Sequence, residues 1–249
     1  MKTIWYFVKF CEKKEFADDF MKGSLYLNRL SYNKKMEDSD DGRSDKYEAV
    51  AAWLQPHDVN LKLTIDGLKL ATEILPEDLA APVYWSYNHH DHLHVLCLYA
   101  IYTNEFECID GQVNYSEEKA PELKRQLEVH QDNFKFGQHA VIVPATLFIN
   151  RVKEAIKNLG YSGKMQLVDY YNPDLFHAEF PENVIPFKKQ QRFIYQNEFR
   201  IVVNNKTIGD APLRIEVGDL GDISAKINAT NLNSLLKLDS IEKYRSLKF

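Results

Sequence analysis

Aromatic and β-branched runs separated by short helical patterns run through the whole chain. Residues 3–10 are rich in these types, which predicts a first strand. In the segment 12–23, Phe16 and Phe20 share one helical face and Gly23 is placed to end the helix. The start of the chain is therefore expected to be a strand followed by a short amphipathic helix.

The segment 24–32 predicts an extended run with two distinct faces. Alternation places one set of side chains on one face (Leu25, Leu27 and Arg29) and another set on the opposite face (Tyr26, Asn28 and Leu30). The polar and acidic residues 33–45 that follow are typical of a solvated loop.

The rest of the chain predicts more strands than helices. Helices are expected over 120–130 and 145–159, where Phe148, Val152 and Ile156 recur every four residues. Strands are expected over 48–54, 92–102, 164–171, 192–203 and 213–217, with a hairpin over 61–72 that turns at Asp66-Gly67. Regular βαβ alternation is missing, so the pattern indicates an α+β fold, and residues 1–249 are expected to form one domain.

Composition and charge narrow the class of protein. The chain has 249 residues, 45% of them hydrophobic, which is enough for a packed core. The net charge of -5 argues against a dedicated binder of duplex DNA. Three cysteines without metal-type spacing, no signal-peptide pattern and no long apolar run predict a cytoplasmic protein without a membrane partner.

The segment 192–203 carries the clearest chemical signal. If it is a strand, Gln196, Glu198 and Arg200 point to one face, while the residues between them are apolar or aromatic. Three polar side chains on one face of an apolar strand are costly to bury without partners. The pattern alone leaves open a Glu198–Arg200 ion pair, a solvent-facing edge, or a reactive site.

The Gln-x-Glu sequence at Gln196-Asn197-Glu198, which follows an aromatic-rich turn, resembles the Q/E-x-E element of ADP-ribosyltransferases. The resemblance implies that Glu198 is the catalytic carboxylate and that Gln196 positions the acceptor nucleophile. It also implies that Phe193 or Tyr195 is the aromatic residue of a substrate-contacting turn. The implied fold has two small packed β-sheets flanking a cleft, with peripheral helices, and the implied co-substrate is NAD.

A second resemblance spans most of the chain. The residues FADDFMKGSLYLNRLSY and GRSDKYEA, with the later HVLCLYAIY, FGQHAVIV and YQNEFRI, are similar to a group of uncharacterised phage and bacterial proteins. By analogy, this likeness implies an ADP-ribosyltransferase-like toxin or phage-defence effector, for which an antitoxin partner is expected.

Residues that would bind NAD are expected on the first two strands. ADP-ribosyltransferases place an Arg or His on the first strand, where this chain offers Tyr6 and Lys9. Asn28 and Tyr32 are the nearest counterparts of the family's second-strand polar element. A solvated Lys9 and an amphipathic Tyr32 at a strand end need no ligand to explain them.

Two charged groups have open interpretations. Arg43, Asp45 and Glu48 either anchor a loop by ion pairing, which is preferred, or contact ligand hydroxyls. Lys189 and Arg192, together with Lys188, precede the Gln-x-Glu sequence. Their mixture with an aromatic side chain suits a single-stranded nucleic-acid acceptor, an acidic protein surface, or solubility alone.

The histidine-rich sequence HHDHLH is interpreted as a polar entrance to a strand. Alternation would place His90, His92 and His94 on one face, but no metalloprotease pattern accompanies them, so no metal site is expected. P-loop, G-x-S-x-G and G-x-G-x-x-G motifs are absent from the sequence.

The expected function is transfer of ADP-ribose from NAD to a macromolecular acceptor, either a protein or a single-stranded nucleic acid. The alternative is a catalytically silent binding module, or a phage-encoded antagonist, with the same fold. A third possibility is a metal-dependent nuclease that uses Asp45, Glu48 and the histidines.

Overall fold

The computed structural model describes residues 2–35, 45–59, 61–64, 71–109 and 112–236. Strands and helices are mixed, and nearly all strand pairs are antiparallel, which confirms the α+β class. Within these ranges no helix combines the length and the apolar character that crossing a membrane requires.

Among the described residues, helices form six segments and strands form seventeen. The helices are α1 (Lys14–Met21), α2 (Leu30–Lys35), α3 (Asn88–Asp91), α4 (Ala120–Leu127), α5 (Ala145–Asn158) and α6 (Leu232–Leu235). The first nine strands are β1 (Lys2–Cys11), β2 (Ser24–Arg29), β3 (Val50–Leu54), β4 (Leu61–Thr64), β5 (Ala71–Ile74), β6 (Val83–Ser86), β7 (His94–Asn104), β8 (Glu107–Ile109) and β9 (Gln112–Asn114). The others are β10 (His139–Pro144), β11 (Ser162–Leu167), β12 (Asp169–Tyr171), β13 (Ala178–Glu179), β14 (Lys188–Gln190), β15 (Glu198–Asn204), β16 (Leu213–Glu216) and β17 (Ala225–Asn228).

The largest sheet contains eight strands. Six of them follow the order β11-β15-β7-β1-β10-β17, and β2 joins β7 while pairing with β16 on its other side. Smaller sheets are formed by β13-β3-β6, β12-β14, β4-β5 and β8-β9. The arrangement thus differs from the predicted pair of small sheets. The long strand β7 pairs with both β1 and β2, so the strands expected in two sheets belong to one.

The large sheet divides along β7. Strand β1 pairs with the second half of β7, as far as Val8 opposite Tyr99. Strand β2 pairs with the beginning of β7, where Asn28 lies opposite Val95. Between these two positions β1 and β2 diverge, and a gap opens beside the middle of β7.

The main hydrophobic core lies where α1 and α5 pack against β1 and β10. Phe148 of α5 is fully buried, with its ring 5.9 Å from that of Phe7 and 5.7 Å from that of Phe20. The predicted four-residue spacing in α5 is confirmed, since Val152 and Ile156 are buried beside Phe148. A second core cluster lies under the sheet β13-β3-β6 and includes Trp53.

Several predicted elements end differently in the structure. Phe16 and Phe20 lie four residues apart in helix α1, as predicted, but the helix buries Phe20 and leaves Phe16 exposed. The extended run 24–32 stops at Arg29, and Tyr32 lies in helix α2 instead of at a strand end. The hairpin over 61–72 is confirmed by the pairing of β4 with β5, while its turn Asp66-Gly67 and also Arg43 lie outside the described residues.

The predicted strand 192–203 begins with a 3₁₀ turn. Residues Gln191–Gln196 form this turn, and β15 starts only at Glu198. Asn197 between them has a φ of 39°, in the left-handed region that asparagine tolerates better than most residues. Gln196 therefore does not share a strand face with Glu198, although Arg200 does.

Candidate active site

A cleft of about 690 Å³ lies where β1 and β2 part. Its walls are the end of β1, the outward side of β2, the middle of β7, and the side chains of Gln196 and Glu198. Lys9 at the end of β1 donates from Nζ to the carbonyl oxygen of Cys97 on β7, at 3.3 Å. The ammonium of Lys9 thus bonds a strand carbonyl at the divided part of the sheet.

Glu198 lies at the inner wall of this cleft and is only 5% exposed. As the first residue of β15, it is fixed by the ladder that pairs it with Tyr99. Its Oε1 accepts a hydrogen bond from Nε of Arg200 at 2.5 Å, and its Oε2 accepts one from Nζ of Lys189 at 3.1 Å. Its backbone N–H donates to the hydroxyl of Tyr170 at 3.0 Å. The carboxylate is therefore held in one orientation.

Arg200 connects Glu198 to a second buried carboxylate. Its Nη1 and Nη2 donate to the two oxygens of Glu48 at 2.6 and 3.0 Å, and Nη1 also donates to the carbonyl oxygen of Pro186 at 2.7 Å. Arg200 and Glu48 are both fully buried. The guanidinium fork suits two carboxylates at once, which a lysine at this position would not match.

The electrostatics favour an ionised Glu198. Burial alone raises the pKa of a carboxyl group, but the charges of Arg200 and Lys189 outweigh it and hold the pKa of Glu198 far below its ordinary value. Burial would likewise lower the pKa of Lys189, yet Glu198 and Glu48 keep that pKa above its ordinary value. Both charges are thus retained at neutral pH.

Gln196 reaches the same cluster from the 3₁₀ turn. Its Oε1 accepts a hydrogen bond from Nζ of Lys189 at 2.7 Å, and its side chain lines the cleft. One ammonium therefore holds the two polar residues of the Gln-x-Glu sequence together, although they are not neighbours on one strand face. Lys189 is 5% exposed and lines the cleft, so its interpretation as a solvated surface cation is wrong; its buried charge is balanced by Glu198.

Asp45 completes the ionic cluster. It is 1% exposed, and its Oδ1 accepts a hydrogen bond from the backbone N–H of Tyr47 at 3.1 Å. Burial, and then the charge of Glu48, raise the pKa of Asp45 to about 6. The ion pairs of Glu48 and Asp45 agree with the preferred anchoring role, and neither residue lines the cleft.

Cys97 lies against the same carboxylate, in surroundings that favour the protonated thiol. Burial, followed by the charge of Glu198, raises the pKa of its thiol to about 12. A thiol that stays protonated at neutral pH attacks poorly, because the thiolate is the reactive form. Of these two neighbouring groups, Glu198 is therefore the one that is charged at neutral pH.

Three of the four residues predicted to contact NAD line the cleft. Lys9, Asn28 and Tyr32 all belong to its walls. Tyr6 does not, because it lies on a separate open groove beside Ile142 and Pro144. The placement of Tyr6 in the site is therefore wrong: Tyr6 lies in the part of β1 that is paired on both sides, with Pro144 of β10 and Ile101 of β7, and not at the end of β1 that borders the cleft.

Of the four residues predicted to contact the acceptor, Lys189 lines the cleft, whereas Phe193, Tyr195 and Arg192 do not. Phe193 is buried, with Nζ of Lys189 and the guanidinium of Arg192 each 4.6 Å from its ring centroid. Tyr195 is half-buried, with its ring 5.5 Å from that of His130. Arg192 is exposed and lies 3.8 Å from Asp45. A molecule bound inside the cleft would therefore not touch Phe193, Tyr195 or Arg192 directly.

Other residues of the cleft were not singled out by sequence. Tyr26 and Phe16 are exposed aromatic side chains at its walls, and Arg214 lies over the ring of Tyr26 at 5.4 Å. Alternation in the sequence placed Tyr26 on the same face as Asn28, and this was the available signal. Arg214 belongs to β16, which pairs with β2, and no pattern in the sequence predicted that this strand would lie beside the cleft.

The histidine-rich sequence folds differently from its prediction. Asn88–Asp91 is helix α3, so His90 and His94 do not share a strand face and His92 lies between the two elements. Burial, followed by the charge of His89, lowers the pKa of His90. Asp45 and Glu48 face Lys189 and Arg200 instead of a histidine, which contradicts the grouping that a metal-dependent nuclease required.

Comparison with known proteins finds no match: no family model, no curated protein and no solved structure is significantly similar to this chain.

Proposed function

We propose that this chain transfers ADP-ribose from NAD to a macromolecular acceptor, with Glu198 as the catalytic carboxylate. One observation carries the proposal: an ionised, rigidly held carboxylate lies on the wall of a cleft at the point where the large sheet divides. The division of the sheet also supports an ADP-ribosyltransferase-like arrangement, with two halves on either side of a cleft.

The chemistry requires a fixed negative charge. As the bond between nicotinamide and the ribose carbon breaks, the electron pair leaves with nicotinamide and the ribose becomes cationic. A preorganised carboxylate in a water-poor site stabilises this charge without reorganising. An acceptor nucleophile then bonds to the ribose carbon and loses its proton. In this proposal Glu198 faces the ribose and Gln196 orients the acceptor.

Lys9, Asn28 and Tyr32 are the proposed NAD contacts. The ammonium of Lys9 suits the pyrophosphate, and the ring of Tyr32 suits stacking on nicotinamide. The acceptor is a protein or a single-stranded nucleic acid, and the biological role is that of a toxin or phage-defence effector restrained by an antitoxin. These roles rest on the sequence resemblance, and the geometry supports them by placing Lys9, Asn28 and Tyr32 in the wall of one cleft.

Incubation with labelled NAD and cell extract tests the proposal. Wild type should transfer label to a macromolecule, and Glu198→Gln should reduce transfer by orders of magnitude, because glutamine keeps the shape and loses the charge. Glu154→Gln, a change of the same kind at an exposed position on α5, should transfer label normally. Equal labelling by wild type and Glu198→Gln would remove Glu198 from its proposed role.

A catalytically silent binding module is the second candidate, and one observation favours it. The oxygens of Glu198 already accept hydrogen bonds from Nε and Nη2 of Arg200, from Lys189 and from the thiol of Cys97. A carboxylate has about four acceptor sites, so a ribose hydroxyl must replace one of these donors, and the weak thiol donor is the easiest to displace.

Calorimetry separates the two candidates. The enzyme should bind NAD in wild type and in Glu198→Gln, since that change removes turnover more than binding. The silent module predicts no transfer by wild type. A stable protein complex in pulldown without NAD binding would favour that candidate.

A further inference from the structure

We propose that His89, His90 and Glu182 form a binding site for a divalent transition metal, with zinc as the best-suited ion. The site lies outside the cleft and is independent of the proposed transferase activity. Within the described ranges, these three residues are the one group of metal-ligand side chains whose ligand atoms lie close enough together.

The geometry of the group supports coordination. Ligand atoms of the three side chains lie within 4.8 Å of one another, and Nε2 of His89 is 2.8 Å from Oε1 of Glu182. Ligands about 2.0–2.2 Å from a tetrahedral zinc ion are roughly 3.3–3.6 Å apart. Zinc would therefore replace the hydrogen bond between His89 and Glu182, whose ligand atoms move slightly apart, while ligand atoms near the 4.8 Å limit move closer together. The side chains of His89 and Glu182 are 59% and 68% exposed, which leaves them free to rotate inward.

His90 provides the second, independent observation. It is 5% exposed, and its Nδ1 is buried without a hydrogen-bond partner among the described residues. An orphaned buried nitrogen costs free energy unless something outside the protein chain satisfies it. The ring of His90 lies 4.3 Å from that of His89, which is itself stacked on Tyr87.

The ligand types select the ion. Two imidazoles and one carboxylate are the mixed nitrogen and oxygen set that zinc prefers over calcium or magnesium. Three protein ligands leave a fourth position for water. Lys34, whose charge acts on His90, is paired with Asp91 at 2.6 Å, which reduces its repulsion of a metal ion.

A metal ion at this site would link two segments of the chain. His89 and His90 belong to α3, whereas Glu182 begins the 3₁₀ turn Glu182–Phe187. The carbonyl oxygen of Pro186 in that turn accepts a hydrogen bond from Arg200. A bound ion would therefore tie α3 to the segment that supports the buried ionic cluster, and would stabilise the folded protein by mass action.

Titration of the full chain, without a histidine tag, with zinc chloride tests the proposal by calorimetry. We expect one zinc ion per chain and a rise in the melting temperature. Cobalt chloride should give the visible absorption of a low-symmetry site. Glu182→Gln and His89→Gln should each weaken zinc binding about tenfold or more, since each removes one of three ligands.

His57→Gln is the matched control, because His57 is also an exposed histidine beside a carboxylate, that of Asp58. It should bind zinc as wild type does. Absence of zinc binding by wild type would overturn the proposal, as would unchanged binding by Glu182→Gln and His89→Gln. Loss of binding in His57→Gln alone would place the metal elsewhere and would also overturn it.

Discussion

Replacing Arg200 with methionine removes the charge at the centre of the buried cluster while roughly keeping the volume of the side chain. Glu48 and Glu198, with side chains 0% and 6% exposed, then lose their shared guanidinium, and the Pro186 carbonyl loses a donor. Breaking a buried ion pair by removing one partner typically costs about 3–5 kcal/mol. We expect Arg200→Met to lower the free energy of unfolding by that amount.

Urea unfolding followed by circular dichroism measures this change. For a protein of this size, the expected loss corresponds to a fall in melting temperature of roughly 6–20 °C. Arg151→Met is the control, because Arg151 pairs with Asp222 at the surface, where the two side chains are 30% and 60% exposed. An exposed pair contributes about 1 kcal/mol or less.

The triple variant Arg200→Met, Glu48→Gln, Glu198→Gln tests the physical reason. If uncompensated buried charge causes the loss, neutralising both carboxylates should restore part of the stability. If Arg200→Met lowers the free energy of unfolding no more than Arg151→Met does, the view that Arg200, Glu48 and Glu198 are buried and mutually dependent charges is refuted.

The other predictions concern packing, backbone conformation and pH. Phe148→Ala should lower the free energy of unfolding by about 3–5 kcal/mol, whereas Leu147→Ala, at a half-exposed neighbour, should cost far less in the same urea experiment. Gly23→Ala should destabilise more than Gly160→Ala: both have positive φ, but only at Gly23 would a Cβ meet backbone, 1.8 Å from a carbonyl oxygen. Because the folded-state pKa of Asp45 is raised to about 6 from 3.8, wild type loses stability from this group as pH rises from about 4 to 6. Asp45→Asn should therefore gain stability relative to wild type between pH 4 and pH 7, and no relative change in unfolding experiments at the two pH values would contradict the assignment.

Long, strongly patterned elements were predictable from sequence. The runs that became β1 and β7 are continuous apolar segments, and the spacing of Phe148, Val152 and Ile156 predicted α5. In these elements the local pattern and the tertiary burial agree, because the buried face is set by the period of the element itself.

The failures occurred where the three-dimensional arrangement, and not the hydrophobic pattern, decides the partners or the conformation of a residue. In the sequence Lys189 has the pattern of a solvated cation, whereas in the structure it is paired with Glu198. Asn197 adopts a left-handed conformation that ends a 3₁₀ turn, which strand alternation could not foresee. His89 forms a hydrogen bond with Glu182, which is distant in sequence, so this contact could not be predicted from the spacing of residues around His89.

Release of nicotinamide from NAD, followed by chromatography, tests the role of Glu198 most directly because it requires no knowledge of the acceptor. Wild type should release nicotinamide at a measurable rate, and Glu198→Gln, shown by circular dichroism to be folded, should be slower by orders of magnitude. Equal rates in the two folded proteins, or no release by wild type with or without cell extract, would contradict the account.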